Sequence, residues 1–406
     1  MRVLCTCLPG HGHFLPMRPF ATALAAAGHE VAFATAGEFC PHVDRAGFPA
    51  FPAGLSLPRQ LEEANRRYPE AELPPGKERF EAFVPRMLAG VAAPARAADL
   101  VPIVADWRPD VVVHDETELA GPVAAAVAGI PWADHSMGIL RPLQMLRLAG
   151  NTLAPTAREW GVDVGPCAGL FRYLYLDVCP PRLQSPEVSD VAVAHAMRNL
   201  AGAGAGGELP GWIASLPAQP TVYVSLGTLF NRDATVFAAV LEGLRDEPLN
   251  LILTVGHDND PEAFGPQPAN VHVERFIPQA LLLPHCDAVV NQGGTALLDI
   301  LGHGLPVLVL PQGANQFHNA EACVHAGVGR RLLPDEVSAD AVRADVRLLL
   351  DDASYRQAAE TVAAELAAMP GPEEGVSLVE RLHREQRPLH SAGAGAGSAS
   401  GTHTGG

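Results

Sequence analysis

The sequence predicts an α/β protein with two doubly wound parallel-sheet domains. Short apolar runs alternate with helical patterns in the first third of the chain, and the same alternation begins again after residue 220. Such alternation is typical of parallel strands joined by crossover helices. A stretch of small residues separates the two halves, and the 406 residues of the chain exceed one domain of about 100 to 200 residues.

Each half supplies its own set of predicted strands. In the first half, strands are predicted at residues 2–8, 31–35 and 110–114, with helices at 14–27 and 121–129. In the second half, strands are predicted at 221–225, 251–255, 271–276, 288–291 and 307–310. Ligands of such folds bind beyond the carboxyl ends of the strands. The side chains that follow these strands are therefore the candidate site residues.

Small residues mark the boundary between the halves. Residues 200–210 are mostly Gly and Ala, which cannot pack a core and favour a flexible connection. The final residues are almost all Gly, Ala, Ser and Thr, a composition that predicts disorder. We therefore expect an N-terminal domain, a linker, a C-terminal domain, a final helix that packs back on the N-terminal domain, and a disordered tail: residues 1–200, 201–212, 213–370, 371–385 and 386–406.

One segment of the first half breaks the alternation. Residues 55–85 carry prolines among charged residues, at positions 58, 69, 74 and 75, which predict a long irregular excursion above the N-terminal sheet. Such loops often form walls of binding sites. A mobile surface insertion is the alternative interpretation.

The charge of the chain bears on its partners. Lys and Arg number 28 against 45 Asp and Glu, which gives a formal net charge of −17. This charge repels nucleic acid and anionic membranes, so we expect neither as a partner. It still allows a local anion site, because backbone amides at a helix N-terminus can bind phosphate.

The cysteines and the N-terminus bear on the compartment. Seven cysteines are scattered without a CxxC pair, which indicates reduced core residues rather than a metal or redox site. No apolar stretch is expected to reach the roughly 18 residues of a membrane span, and the N-terminus resembles no secretory signal. We therefore expect a cytoplasmic protein without a membrane span.

Two histidines follow the first predicted strand. The run Pro9-Gly-His-Gly-His-Phe-Leu-Pro16 places His11 and His13 at the carboxyl edge of the sheet. Histidines at such a turn serve either in catalysis or as helix caps. A dinucleotide fingerprint is disfavoured, because Leu15 replaces its third small residue and the second strand ends without an acidic residue. A P-loop is absent from the sequence.

The strand predicted at 110–114 is followed by Asp115, at the same edge of the sheet as His13. A carboxylate that accepts one ring proton of a histidine fixes its tautomer and stabilises the imidazolium formed after proton abstraction. His13 and Asp115 are therefore a candidate base and its partner. Alternatively, Asp115 caps the next helix.

Two turns of the second half have the composition of phosphate-binding turns. Ser225-Leu-Gly-Thr228 and Gln292-Gly-Gly-Thr295 each follow a predicted strand and precede a helix. Such turns offer backbone amides, a hydroxyl and a helix dipole to an anion. Two of them in one domain would suit a diphosphate, and their amides would stabilise the charge of a departing phosphate.

Together these segments resemble the nucleotide-sugar glycosyltransferases of bacterial natural-product and antibiotic biosynthesis, a family that also includes plant secondary-product enzymes. The resemblance covers the chain to about Leu382. It implies the GT-B fold, in which two Rossmann-like domains face each other across a cleft, with acceptor in the first and donor in the second. It rests on six segments: the His-Gly-His-x-x-Pro turn, His114-Asp115, the run from Leu176 to Pro181, Val224-Ser-Leu-Gly-Thr228, Phe276-Ile-Pro-Gln279, and the run from Asn291 to Asn319.

The resemblance also implies roles for single residues. His13 would remove the acceptor proton and Asp115 would support it, with inversion at the anomeric carbon and without a metal, a cofactor or a covalent intermediate. The donor would be bound at the nucleobase by Phe276 and Gln279, at the ribose by Asp299, at the phosphates by Gly227, Thr228, Gln292, Gly293, Gly294 and Thr295, and at the sugar by Asn315 and Gln316. Phe276 could instead belong to the core, and Asn315 and Gln316 could cap a helix.

The sequence departs from the family pattern at three points. Gln292 replaces a histidine, the Gly-Gly loop is one residue shorter, and Asn315 replaces an aspartate. Gln292 can donate a neutral hydrogen bond but not the stronger charge-assisted one. These departures bear on donor affinity, donor choice and activity.

The function that we expect is transfer of a sugar, including deoxysugars, from a TDP- or UDP-sugar to a hydroxyl of a small hydrophobic acceptor. Residues 55–85 and 137–170 would line the acceptor site, where Leu140, Leu143, Met145 and Leu146 favour an apolar aglycone such as a polyketide. The alternatives are a nucleotide-sugar epimerase or hydrolase, and a silent homologue that binds nucleotide or supports a partner enzyme.

Overall fold

The computed structural model describes residues 1–199, 207–227, 234–256 and 259–391. Within them, the first half of the chain forms one parallel sheet in the order β3-β2-β1-β4-β5-β6-β7. Its strands are β1 (Arg2–Thr6), β2 (Glu30–Thr35), β3 (Ala50–Pro52), β4 (Val111–Asp115), β5 (Trp132–His135), β6 (Tyr175–Asp177) and β7 (Ala194–Ala196). The central strand β4 is buried along its whole length, as expected where helices cover both faces of a parallel sheet.

The second half forms a second parallel sheet, in the order β10-β9-β8-β11-β12-β13. Its strands are β8 (Thr221–Ser225), β9 (Asn250–Thr254), β10 (Val271–Glu274), β11 (Ala288–Asn291), β12 (Val307–Val309) and β13 (Gly329–Arg331). Two doubly wound parallel sheets confirm the predicted fold class. No strand was predicted at β3, β5, β6, β7 or β13, which span only three or four residues each.

Helices connect the strands and cover both sheets. Around the first sheet lie α1 (His11–Ala26), α2 (Cys40–Arg45), α3 (Leu57–Arg67), α4 (Lys77–Met87), α5 (Ala93–Trp107), α6 (Ala120–Ala128) and α7 (Leu143–Glu159). The second half contributes α8 (Ala234–Leu244), α9 (Gln279–Leu282), α10 (Leu297–Gly302), α11 (Gln316–His325), α12 (Ala339–Asp351), α13 (Ala353–Ala368) and α14 (Pro372–Glu385). A π-helical turn (Leu88–Ala92) joins α4 to α5.

The prediction of an irregular excursion at residues 55–85 is wrong. The segment folds into α3, a 3₁₀ turn (Pro69–Glu72) and α4. Pro58 lies in the first turn of α3, where a missing N–H costs no helical hydrogen bond. Pro74 and Pro75 fall between the helices. The prolines therefore delimit the helices instead of preventing them.

The final helix contacts the first half of the chain. On α14, Glu380 pairs with His29 at 3.1 Å, and a Cβ added at Gly375 would lie 2.8 Å from the ring of Phe20 on α1. The prediction of a disordered tail from residue 386 is wrong at its start, because Leu389 is fully buried and its amide donates to the Tyr173 carbonyl at 2.8 Å. Residues 392–406 lie outside the described part of the chain, as do residues 201–206 of the predicted linker.

The expectation that no apolar stretch reaches the length of a membrane span is wrong, whereas the absence of a membrane span stays a prediction. The continuous helical segment of residues 77–107 is long and apolar enough to cross a membrane by length and composition alone. Within its most apolar window, 61% is buried inside the fold, as in the core helix of a soluble protein. All seven cysteines are free and six of them are buried, which agrees with their interpretation as core residues.

Candidate active site

His13 and Asp115 meet at the carboxyl edge of the first sheet. β1 and β4 are neighbouring parallel strands, with Thr6 paired to His114, so the turn after β1 and the last residue of β4 lie side by side. His13 lies in the first turn of α1, and its Nδ1 is 2.9 Å from Oδ2 of Asp115. The His13 side chain is 28% exposed, whereas that of Asp115 is completely buried. The structure thus brings the predicted pair together with one ring edge of His13 accessible.

Four hydrogen bonds hold the carboxylate of Asp115. Oδ2 accepts from His13 and from the Leu8 amide at 3.2 Å. Oδ1 accepts from the amide of Thr117 at 2.7 Å and from its hydroxyl at 2.5 Å. Burial on its own would raise the pKa of Asp115, but the charge of His13 and these hydrogen bonds outweigh it and hold the pKa well below its usual range.

This carboxylate fixes the proton of the imidazole. Because Asp115 only accepts, Nδ1 of His13 donates to it, which leaves Nε2 as the ring acceptor. The hydroxyl oxygen of Thr117 also lies 3.2 Å from Nδ1 of His13. Sequence reasoning missed Thr117, although a Thr two residues after an Asp is a recurrent local hydrogen-bonding pattern. The arrangement can take a proton from a hydroxyl placed at Nε2.

A second histidine–carboxylate pair lies behind the first and is closed to ligands. His114 is fully buried, with Nε2 2.5 Å from Oδ1 of Asp134. Its Nδ1 donates to the carbonyl of Glu118 at 2.8 Å. Burial would lower the pKa of His114, but the charge of Asp134 outweighs it and raises that pKa. This pair braces β4 against β5 beneath the Asp115 turn.

In the second half, glycine turns follow two neighbouring strands. Gly227 follows β8 with φ +74°, and Gly293 follows β11 with φ +83°, a region of backbone conformation that favours glycine. Asn291 accepts from the Gly293 amide at 2.7 Å, and Asn319 donates to the Gly293 carbonyl at 2.7 Å. Both asparagines were missed as turn-holding residues. Thr228 lies outside the described residues.

Gln292 lies between these two turns. A Cβ added at Gly227 would collide with its carboxamide, and a Cβ added at Gly294 would lie 3.0 Å from its Nε2. The side chain is buried, and its Oε1 has no hydrogen-bond partner among the described residues. The carboxamide is therefore held at the junction of the two turns, and its oxygen can still accept a hydrogen bond.

The other candidate donor residues follow strands β10, β11 and β12. Phe276 is 60% exposed, so its ring is not a core residue. Gln279 begins α9, and Asp299 lies in the first turn of α10, which follows Thr295. Asn315 precedes α11 and makes no side-chain cap.

Gln316 has a structural role that its sequence position did not reveal. It is buried at the start of α11, and its Oε1 accepts from the amides of Gln312 and Gly313 at 2.8 and 3.0 Å. This oxygen therefore orders the loop before α11.

Three residues predicted to line the acceptor site, Leu140, Met145 and Leu146, are buried in the first half, so their apolar character serves packing.

The two halves approach each other at these turns. A Cβ added at Gly12, beside His13, would lie 3.6 Å from the Thr295 hydroxyl. Beside this approach, α4 and α11 are linked by His318 and Glu81 at 2.9 Å and by Lys77 and Glu321 at 2.7 Å. The turn that carries His13 and the second glycine turn thus face each other. In the described part of the chain, no three His, Cys, Asp or Glu residues lie together as metal ligands; metal independence stays a prediction.

Comparisons with known proteins place this chain in a family. The N-terminal and C-terminal domain models of the erythromycin biosynthesis protein CIII-like family match residues 22–227 and 239–382. L-demethylnoviosyl transferase of Streptomyces niveus is 34% identical over 402 residues, covering 97% of this chain and 100% of that protein. Elloramycin glycosyltransferase of Streptomyces olivaceus is 32% identical over 405 residues, covering 94% and 97%.

Solved structures agree with the fold. The glycosyltransferase SnogD from Streptomyces nogalater has a TM-score of 0.73 and 28% identity, covering 94% of this chain and 99% of its own. SsfS6 from Streptomyces sp. SF2575, complexed with thymidine diphosphate, has a TM-score of 0.76 and 27% identity with the same coverage. These neighbours are GT-B glycosyltransferases, so the GT-B fold expected from the resemblance is confirmed.

Proposed function

The chain belongs to the erythromycin biosynthesis protein CIII-like family of glycosyltransferases, and from this membership we propose that it moves a sugar from a TDP- or UDP-sugar to a hydroxyl of a small hydrophobic acceptor. The observation that carries the proposal is the pairing of His13 with Asp115 at 2.9 Å, opposite the Gly293 turn. The thymidine diphosphate complex of SsfS6 supports a TDP-sugar. A relative from Streptomyces galilaeus, aclacinomycin-T 2-deoxy-L-fucose transferase, supports a deoxysugar as the group transferred.

In the proposed reaction, Nε2 of His13 takes the proton of the acceptor hydroxyl. The oxygen attacks the anomeric carbon from the face opposite the diphosphate, and the bond between that carbon and the phosphate oxygen breaks. The configuration inverts and the nucleoside diphosphate leaves with both bonding electrons. Asp115 stabilises the imidazolium, because its carboxylate is buried and already oriented toward Nδ1.

The donor is proposed to lie over the second sheet. Amides of the Gly227 and Gly293 turns, with the Gln292 carboxamide, would neutralise the charge that grows on the diphosphate without a metal ion. The exposed ring of Phe276 would stack on the base. The donor-binding roles of the remaining candidate residues stay predictions: Gln279, Asp299, Asn315, Gln316, Thr228, Gly294 and Thr295.

Replacing Asp299 by alanine should weaken nucleotide binding by about 10- to 100-fold, since a hydrogen bond to a charged group contributes about 1.5–3 kcal/mol. The physical reason is the loss of a carboxylate that accepts from the ribose hydroxyls. Calorimetric titration with TDP and with UDP, without magnesium, measures the effect and identifies the preferred base. Asp340→Ala, which removes an acid from the first turn of α12, is the matched control. Unchanged affinity in Asp299→Ala would remove this residue from the site.

Replacing Gln292 by histidine should make nucleotide binding depend on pH. A histidine with an ordinary pKa of about 6.5 is protonated below that pH and then adds a charge-assisted hydrogen bond to the diphosphate. The ratio of TDP affinities, variant over wild type, should therefore rise as the pH falls from 8 to 6. Titrations at these two pH values test this, and a constant ratio would show that residue 292 does not contact the phosphates.

A further inference from the structure

Arg96 is a buried cation that the proposed mechanism does not use. It lies on α5, is 1% exposed, and donates through Nη1 to the carbonyl of Cys7 at 2.5 Å. A Cβ added at Gly54 would lie 2.8 Å from Nε of Arg96, so the glycine leaves room for the guanidinium. α5 thus delivers a positive charge to the carboxyl end of β1.

The Cys7–Leu8 peptide group connects this cation to the catalytic pair. Its carbonyl accepts from Arg96, and its amide donates at 3.2 Å to Oδ2 of Asp115. The same oxygen accepts from Nδ1 of His13 at 2.9 Å. Guanidinium, peptide group, carboxylate and imidazole therefore form one hydrogen-bonded series with alternating donors and acceptors.

The buried positive charge of Arg96 lacks a directly paired carboxylate in the described part of the chain. Among the described residues Arg96 has no carboxylate within ion-pair distance, and its Nε and Nη2 have no hydrogen-bond partner. Burial of a cation away from water is unfavourable unless an opposite charge offsets it. The Cys7 thiol lies within reach of both charges: burial most of all, and then Asp115, raise its pKa, whereas Arg96 lowers it. Asp115 is thus placed to offset the charge of Arg96.

We propose that Arg96 is a positioning residue for catalysis: through the Cys7–Leu8 peptide group it holds the Asp115 carboxylate in place, and its positive charge acts on the His13–Asp115 pair. The inference rests on the roles proposed above for His13 and Asp115. Because the cation opposes protonation of the imidazole, its removal should let His13 keep its proton to higher pH. A residue that only fills space would leave that titration unchanged.

The test follows the titration of the His13 ring by nuclear magnetic resonance in the full chain, with His13→Gln to assign the signal. Arg96→Gln keeps a donor for the Cys7 carbonyl but loses the charge, and should move the midpoint upward by on the order of one pH unit. Arg96→Lys keeps the charge and should restore the midpoint. Arg2→Met, at the opposite end of β1, is the matched control and should cause no shift. An unmoved midpoint in Arg96→Gln would overturn the proposal.

A double-mutant cycle on unfolding keeps the proposal testable if Arg96→Gln is poorly folded. In the Asp115→Asn background the cation has lost its counter-charge, so Arg96→Gln should destabilise the chain less than in the wild type. Additive effects, or failure to fold in both backgrounds, would make Arg96 purely structural and overturn the proposal. Neither readout uses sugar transfer, so a failure here is distinct from a failure of the proposed function.

Discussion

His13→Ala should remove sugar transfer and leave nucleotide binding intact. The variant loses the ring acceptor that Asp115 orients, and general-base catalysis contributes about 10²- to 10⁴-fold to such reactions. The donor is proposed to be held by turns of the second sheet, which His13 does not support by any described hydrogen bond. Loss of transfer should therefore appear in turnover and not in the affinity for TDP.

Release of TDP in the presence of acceptor, together with calorimetric binding of TDP, measures this separation. His42→Ala is the matched control, because His42 is another imidazole of the first half, stacked on Phe39. Full activity in His13→Ala would reject the mechanism. Loss of TDP binding in the same variant would mean that the histidine acts on the donor instead.

Asp115→Asn should reduce transfer by roughly 10⁴-fold, the effect seen when the carboxylate of a histidine–carboxylate pair is replaced by its amide. All four of its described partners are donors. An asparagine would turn its NH₂ group toward some of them and would no longer select the Nδ1-protonated tautomer. The geometry would persist while the base would be lost.

The same substitution should destabilise the fold in a pH-dependent way. The pKa of Asp115 is lowered in the folded chain, so the wild-type carboxylate stabilises the fold above its unfolded pKa of 3.8. This contribution fades as the pH falls below that value, so the stability difference between wild type and Asp115→Asn should narrow in acid. Denaturant unfolding at several pH values measures it, with Asp110→Asn as control. A difference that stays constant down to pH 2 would contradict the account.

Much of the fold was predictable because short apolar runs alternate with helical patterns in both halves of the chain. Strands such as β8 and β11 coincide with their predicted ranges, since buried parallel strands appear as continuous apolar runs. The helices at residues 57–87 were not predictable from the same cues. Prolines in a first helical turn and prolines in a loop have the same sequence signal, and only the packing of α3 and α4 distinguishes them.

The candidate catalytic residues were predictable from the sequence, but the residues that hold the site in place were not. Asp115 ends β4 and His13 follows the adjacent strand β1, so sheet order alone brings them together. Asn291 and Arg96 act through hydrogen bonds to backbone groups, and Thr117 donates from its own amide and hydroxyl to Asp115. Which backbone group a side chain reaches depends on turn geometry and on the packing of distant elements, and a sequence without its fold does not contain that information.

The proposed reaction is direct displacement at the anomeric carbon by an acceptor that His13 activates. The measurement that tests it most directly is the anomeric configuration of the product formed from a TDP-sugar of known configuration. The reaction would use a panel of hydrophobic hydroxyl-bearing aglycones and would contain EDTA. We expect a product of inverted configuration and transfer that chelation leaves unchanged. A product of retained configuration, or transfer that stops when EDTA is added, would contradict the proposed reaction.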